Sequence, residues 1–337
     1  MAAAAPPPMA AAWQGFTRDV QRQVGELWGI APHSRYWSMP QPYMPHANPR
    51  SIMTADLPRL AEPGAYTVAP KCDGDRRFFI AGSLTSGQEY AACISRAFEV
   101  TRLSLPLSCS DSHVYADAQL GQCDPFDGTL LDGELLPDGR YVVHDAVAVA
   151  GRCVLTLPHS RRVSAAHGVL PLMQTLMGGA GRVSIKAWLP VQRVAEVLSA
   201  PQHSDGLIFT PENAPLEHGK RQPLFKWKLP GAHTIDFVAA ADNRLLFTDG
   251  GRDVDALAAG FSLAEPLLPA SLPPRPCLLE FSSDAHGVLR LVKVRTDKNT
   301  PNDATVVWAT LENIRQGITQ ADIVRVCTTP VVCGHIK

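Results

Sequence analysis

Apolar residues recur at helical spacing near the start of the chain. Phe16, Val20, Val24 and Leu27 fall three or four positions apart within residues 13–29, with polar residues between them, which predicts an amphipathic helix. Residues 30–50 are rich in proline, histidine and aromatic side chains and read as an ordered loop, and Met53 to Leu60 as a short helix. From Tyr66 to Val149 the period shortens to two, and strands are expected at 66–69, 77–81, 90–95, 98–102, 128–136 and 141–149. Pro137-Asp138-Gly139 supplies a hairpin turn between the last two. Residues 161–177 and 190–198 read as helices, and 206–210 and 224–228 as strands.

After Phe237 the character changes. Short strands are expected at 237–240, 244–248, 277–282 and 288–295, interrupted by the proline-rich stretch Pro266–Pro276. Several short strands with turns suggest a small barrel of the OB kind. Residues 302–318 then read as a helix with Val306, Trp308, Leu311 and Ile314 on its apolar face. A domain boundary is placed near residue 236. The alanine- and proline-rich residues 1–12 read as a disordered tail, lacking the basic region and long apolar core of a signal peptide.

Bulk properties narrow the field. The chain has 337 residues, 45% of them hydrophobic, 19% charged, with a formal net charge of -1. That length accommodates two domains. The near-zero charge provides no global basic field, so contact with nucleic acid is local. No run of about 18 apolar residues occurs, so no membrane span is expected. None of the eight cysteines forms a C-x-x-C pair or a zinc-finger spacing with histidine. They read as reduced thiols of an intracellular protein, with Cys72 as a small side chain packed beside a strand.

The chemistry centres on Lys71, in Lys71-Cys72-Asp73-Gly74-Asp75-Arg76, a K-x-D-G-x-R hexapeptide at the end of an expected strand. Alone, it is as well read as a surface turn with a solvated lysine as a nucleophile. Leu131-Asp132-Gly133-Glu134-Leu135 places carboxylates beside a glycine, although Asp-Gly turns are common. Ser204-Asp205-Gly206 opens an apolar strand with another acid. In Phe225-Lys226-Trp227-Lys228 the two ammonium groups share one face of a strand, which also describes a solvated edge. Arg295-Thr296-Asp297-Lys298, followed by Asn302, closes the series.

Taken in order, these pieces suit phosphoryl chemistry. An attacking amine must be deprotonated, whereas a free lysine titrates near ~10.4. Nearby cations (Arg76, Lys226, Lys228) and a bound metal favour the neutral amine. The same cations bind phosphates and offset charge at the transferred phosphorus. Glu134 and Asp205 are candidates to place Mg²⁺ or Mn²⁺ against phosphate oxygens.

The ordered set resembles the covalent lysyl-nucleotidyltransferases, the mRNA capping guanylyltransferases and ATP-dependent polynucleotide ligases, from about Pro45 to the C-terminal helix. Four segments resemble the capping side: Asn48-Pro49-Arg50-Ser51-Ile52, Ile94-Ser95-Arg96-Ala97-Phe98, Lys226-Trp227-Lys228 with Thr234-Ile235-Asp236-Phe237, and Arg295-Thr296-Asp297-Lys298 with Asn302-Asp303. The size is similar to compact, virus-type enzymes. The resemblance implies an α+β fold. An ATP-grasp-like, ligase-type nucleotidyltransferase domain with antiparallel sheets (13–236) is followed by an OB-fold β-barrel (237–301). A C-terminal helix (302–337) then returns toward the first domain.

It also implies a two-step reaction. Lys71 attacks the α-phosphorus of GTP, giving lysyl-GMP and pyrophosphate, and the 5′-diphosphate end of an RNA then takes the GMP as a cap. Arg76 and Arg96 would contact ribose or phosphate, Glu134 the ribose hydroxyls, and His144 the face of the guanine. Lys186 and Lys226 would contact phosphate or base, Lys228 the α-phosphate, and Asp205 the metal. Arg295, Asp297 and Lys298 would meet the leaving pyrophosphate when the barrel closes as a lid. Two positions depart from the family: Ser95 stands where it has Asp, and His144 replaces Phe or Tyr with a smaller π face. Trp188 and Trp227 read as packing residues. RNA triphosphatase and cap methyltransferase activities are expected on separate polypeptides, working in a nucleus or a viral cytoplasmic replication site. A ligase is the competing expectation, against which the T-I-D-F and S-R-A-F segments speak. A non-catalytic RNA-binding module would have lost the residues that this chain keeps.

Overall fold

A computed structural model describes residues 8–31, 33–38, 44–105, 115–117, 121–199, 204, 206–217, 223–265, 272–296 and 300–329. Asp205, Asp297, Lys298 and residues 266–271 of the proline-rich stretch lie outside the described residues. The fold is α+β, with predominantly antiparallel sheets, as expected. The chain forms two compact units: residues 1–49, 64–190 and 209–224 make the first, and residues 50–63, 191–208 and 225–337 the second.

In the first unit, strands Arg152–Cys153, Tyr141–Val149, Thr129–Leu135, Asp75–Ser83, Glu89–Ser95 and Val100–Leu103 lie side by side in that order, with Val183–Ile185 added in parallel against Tyr141–Val143. Phe78, Phe79, Ile80 and Ala81 are all fully buried, so this central strand is covered on both faces. One face packs Phe79, Leu131, Tyr141 and Val143 against Ala165, Leu172 and Met173 of the helical segments His159–Ala166 and Leu170–Leu176 and against Val169 of the 3-10 turn His167–Val169 that joins them. The N-terminal helix Pro8–Leu27 supplies further cover: Val20 and Val24 are buried, Phe16 meets Tyr90 edge-on, and the Tyr90 hydroxyl donates to Gln23. Residues 8–12 of the stretch expected as a tail are part of this helix. The strand expected from Phe98 begins instead at Val100. Phe98 takes φ 62° in a tight turn, which the Ser95 hydroxyl closes by accepting from the Glu99 N–H.

Glycine is dictated at Gly133. A Cβ there would stand 2.6 Å from the ring and hydroxyl of Tyr141. Tyr141 is buried and donates to the Arg77 carbonyl at 2.8 Å.

The second unit carries a six-stranded sheet in the order Arg252–Asp255, Leu245–Asp249, Thr234–Ala239, Cys277–Ser283, Val288–Val294 and Ser262–Leu263. It curls into a half-barrel around Phe237, Phe247, Phe261 and Phe281, with Val307 and Leu311 of helix Ala304–Gln316 packed against them. Leu311 is buried as expected, but Val306 and Trp308 are 47% and 43% exposed. The buried stripe is Ala304, Val307 and Leu311, a rotation of the helix set by the aromatic core it covers. Trp308 reaches back to stack on Phe261 at 5.5 Å. A second helix, Gln320–Thr328, was not read from the pattern; it opens with a Thr319/Asp322 capping box.

The limits drawn at 236 and 301 both fall inside this second unit. The segments 50–63 and 191–208 are too short to hold a core, and they bury Ile52, Leu60, Val191 and Val194 among the helices that end the chain. The Trp227 indole donates to the Ile318 carbonyl at 2.9 Å, and Gln316 accepts from the Thr54 N–H at 2.8 Å.

Gly133→Ala is expected to destabilise the protein by about 1–3 kcal/mol, the cost of overpacking a site that cannot yield. The denaturant midpoint should fall with an unchanged m-value; an unaltered midpoint would show that the Tyr141 contact gives way freely.

Candidate functional site

Strand Tyr66–Pro70 runs buried to its last residue and delivers Lys71 half-buried at its end. The chain then crosses the neighbouring strand at Gly74. Its N–H donates to Glu134 Oε1 at 2.9 Å, and a Cβ at that position would lie 2.5 Å from the Leu135 carbonyl oxygen. The glycine of the hexapeptide is therefore a requirement of backbone approach. Arg76 enters the next strand directly opposite Glu134. Its guanidinium pairs through two nitrogens with Asp132, the Nε contact measuring 2.9 Å, and NH1 reaches Asn48 at 3.4 Å. Burial works against the Arg76 charge, but Asp132, with Glu134 and Asp145, outweighs it and holds the pKa above the ordinary value. Arg76, expected to face ribose or phosphate, thus has Asp132 as its principal partner.

Glu134 stands among cations. Burial raises its pKa, while the Gly74 N–H and the charges of Lys186, Lys71 and Arg76 pull it back. His144 lies on the adjoining strand, its Nε2 3.8 Å from Glu134 Oε2 and 3.5 Å from the Lys186 ammonium. Burial, then the positive charges of Lys186 and Arg76, hold its pKa well below the usual histidine value. The ring is neutral at pH 7. Lys186 follows strand Val183–Ile185 and is buried to 7% exposure. Burial lowers its pKa and Lys71 lowers it further, against the raising effect of Cys72 and Glu134. Lys71, Arg76, Glu134, His144 and Lys186 are thus brought into one wall of the first unit.

Arg96 is exposed on the turn after strand Glu89–Ser95, its carbonyl accepting from the Met44 N–H at 3.1 Å. Ser95 spends its hydroxyl on that turn. In the second unit, strand Phe225–Lys228 alternates as expected: Phe225 and Trp227 are buried, Lys226 and Lys228 half-buried on the opposite face. Lys228 Nζ donates to the Ala232 carbonyl at 3.2 Å. Arg295 pairs with buried Asp236 at 3.1 Å and approaches Glu280 at 3.6 Å. Asn302 accepts from the Asp236 N–H at 2.7 Å.

Sequence reasoning passed over several neighbours. Asp132 carries the Arg76 charge. His46, its pKa lowered by burial and then by Arg76, lies 5.9 Å from the Phe78 ring. Beneath His144, Asp145 grips fully buried Arg162 through two 2.8 Å bonds. Asp132 had a signal, since it shares the L-D-G-E-L run with Glu134; His46, Asp145 and Arg162 had none.

A strand-end lysine, a carboxylate held by backbone, a neutral imidazole face and a second, buried ammonium together make a wall suited to nucleotidyl transfer. The family model for the mRNA capping enzyme catalytic domain matches residues 12–230. The chain belongs to that family, and it is an enzyme, a guanylyltransferase. The mRNA-capping enzyme subunit alpha of Neurospora crassa is 25% identical over 345 residues, covering 84% of each chain. Its Saccharomyces cerevisiae counterpart is 34% identical over 139 residues, covering 34% of this chain and 30% of that protein. Among solved structures, the ATP-dependent DNA ligase of bacteriophage T7 aligns with a TM-score of 0.38 at 14% identity, covering 74% of this chain and 98% of the ligase. No helix among the described residues is long and apolar enough to cross a membrane.

The depressed histidine pKa values have a thermodynamic consequence. His144, His46 and His159 bind protons less readily folded than unfolded. Stability is therefore fully present above the unfolded value near 6.5 and is lost as pH falls through it toward the folded values. Urea unfolding at pH 7.5 and pH 5.5 should show that loss, and His144→Phe should make it smaller. An equal loss in the variant would mean that His144 takes up a proton in the folded chain without penalty.

Proposed function

We propose that Lys71 is the nucleophile of a two-step guanylyl transfer. The Lys71 nitrogen bonds to the α-phosphorus of GTP, the bond to the β-phosphate oxygen breaks, and pyrophosphate leaves. The 5′-diphosphate end of an RNA then displaces the lysine from the lysyl-GMP and carries the cap. The observation that carries this reading is the loop from Lys71 to Gly74, locked onto Glu134 by a backbone hydrogen bond and surrounded by donors.

The roles follow from the groups present. Glu134 keeps Oε2 directed toward the wall and suits the hydroxyls of a ribose. Neutral His144 offers a π face to the guanine. Lys186 and Arg96 supply donors to base or phosphate, while Arg76, paired with Asp132, orients Glu134 across the strand pair. Lys226, Lys228 and Arg295, with Asp297 and Lys298, are the remaining candidates to contact phosphate. An ATP-dependent ligase is the weaker reading, since the family model matched is that of capping enzymes.

A divalent cation, Mg²⁺ or Mn²⁺, fits a limited role. The described residues contain no group of three or more His, Cys, Asp or Glu side chains placed to hold an ion. A magnesium ion that takes its other ligands from phosphates and water needs only one or two carboxylates, and Glu134 with Asp205 would provide them. Bound there, it would offset the charge that builds on the leaving pyrophosphate. RNA triphosphatase and cap methyltransferase steps fall to other polypeptides, in a nucleus or a viral cytoplasmic replication site.

Incubation with α-labelled GTP and Mg²⁺ should place label covalently on the protein, stable to denaturation, and Lys71→Ala should abolish it. Label that persists in the variant, or that comes from ATP and not from GTP, would overturn the assignment.

A further inference from the structure

Segment 183–190 does two jobs at once within the first unit. At one end, Val183, Ser184 and Ile185 pair with Tyr141, Val142 and Val143, and the Lys186 N–H continues the ladder to the Val143 carbonyl at 2.8 Å. At the other end, Leu189 and Pro190 pair with Val68 and Thr67, on the strand that ends at Lys71. Trp188 stands between the two pairings. Its indole N–H donates to the His144 carbonyl at 3.1 Å, and the Lys186 ammonium lies 5.5 Å from its ring centroid. The fully buried ring of His159 meets it edge-on at 4.5 Å, and His159 Nδ1 is 2.7 Å from the Thr67 hydroxyl. One side chain therefore touches the backbone that carries the stacking imidazole, the second ammonium, and a histidine bonded into the Lys71 strand.

The Lys186 ammonium has a particular place in this frame. It sits 3.5 Å from His144 Nε2, at the edge of the ring on which the base would stack. A base lying on that ring presents its own edge to the ammonium. Guanine offers two acceptors there, O6 and N7, whereas adenine puts an amino donor in place of O6. An ammonium only donates, so it favours guanine. A lysine stem is flexible, however, and Lys186 has other attractive neighbours in Glu134 and Cys72. The Trp188 face draws the cation and limits where it can go.

We propose that Trp188 is a positioning residue that holds Lys186 at the base edge and thereby sets the preference for GTP over ATP. The proposal rests on the reading that Lys71 forms a lysyl-GMP on this wall.

The experiment measures covalent labelling of the full chain from α-labelled GTP and α-labelled ATP. For each nucleotide, the maximal adduct rate and the half-saturating concentration are determined for wild type, Trp188→Leu, Trp188→Phe, Lys186→Ala and the Trp188→Leu/Lys186→Ala pair. Trp188→Leu should lower the GTP-over-ATP ratio of rate to half-saturation about tenfold, chiefly by raising the half-saturating GTP, with the maximal rate within about threefold of wild type. Trp188→Phe, which keeps a π face beneath the ammonium, should retain most of the ratio. In the Lys186→Ala background, Trp188→Leu should change the ratio less than about twofold, because residues acting through one contact are not additive. A melting temperature for each variant identifies misfolding, and Trp188→Met replaces Trp188→Leu if the latter does not fold. The proposal is overturned if Lys186→Ala loses discrimination while the Trp188 variants keep it, or if the two effects multiply. It also falls if Lys186→Ala keeps the wild-type ratio, while adduct formation by the wild type still stands. A wild type that forms no adduct with GTP removes the functional reading itself.

Discussion

The site depends on one close approach of backbone to backbone. At Gly74 the loop after Lys71 passes so near the Leu135 carbonyl and the Glu134 side chain that a methyl group has no place, and the approach is bound by a hydrogen bond from the glycine N–H to the Glu134 carboxylate. A hydrogen bond to a charged acceptor contributes about 1.5–3 kcal/mol. This one also fixes geometry: it sets where Lys71 leaves its strand and which Glu134 oxygen remains available. The strand pairing that follows places Arg76 opposite Glu134. A second glycine, Gly133, lets Tyr141 lie across the same strand from the other side. The two glycines are thus spent on two different close packings within a few ångströms of the carboxylate.

Electrostatics then divides the charged residues by duty. Asp132 and Asp145 are each committed to a guanidinium, half-buried Arg76 and fully buried Arg162. Pairs of this kind are net stabilising only when both partners and their remaining donors are satisfied. Arg162 meets that condition by also donating to the Leu157 and Ala214 carbonyls. Positive charge also accounts for the state of His144. A protonated ring there would be a further cation, buried beside Lys186 and Arg76, so the imidazole stays neutral.

Much of this was legible in the chain, for identifiable reasons. The strands from Tyr66 to Val149 announced themselves because alternation survives wherever one face of a strand differs from the other. The lysine pair Lys226/Lys228 was readable for the same reason. Gly74 and Arg76 of the hexapeptide were readable because each answers a fixed neighbour, the Leu135 carbonyl and Asp132. Other features left no local trace. Val183–Ile185 is a three-residue strand whose partner lies some forty positions earlier, and Arg162 looks like an ordinary helix surface residue until Asp145 is found beneath it. The helix face at Val306 and Trp308 misled because tryptophan is apolar by composition. Here it is half-exposed, with one face on Phe261, and the neighbouring Val307 is the residue that the sheet buries.

The distal motifs illustrate why their order along the chain carried so much information. Thr234-Ile235-Asp236-Phe237, Arg295 and Asn302 look like separate signatures in sequence, yet they are one contact set. Asp236 takes the Arg295 guanidinium on its carboxylate, while its backbone N–H and carbonyl are both met by Asn302. Each motif is thus the partner of another, and none can drift without leaving a buried charge or a buried peptide group unmatched. The same contacts refine the role of Arg295. Its NH1 answers Asp236 and lies near Glu280, so any phosphate that it engages must compete with two carboxylates. An arginine carries five N–H donors in a rigid fork, and Asp236 braces the Arg295 guanidinium on one side. The acid thus fixes the arginine, as Asp132 fixes Arg76 in the other unit, and each pairing joins residues far apart in the chain.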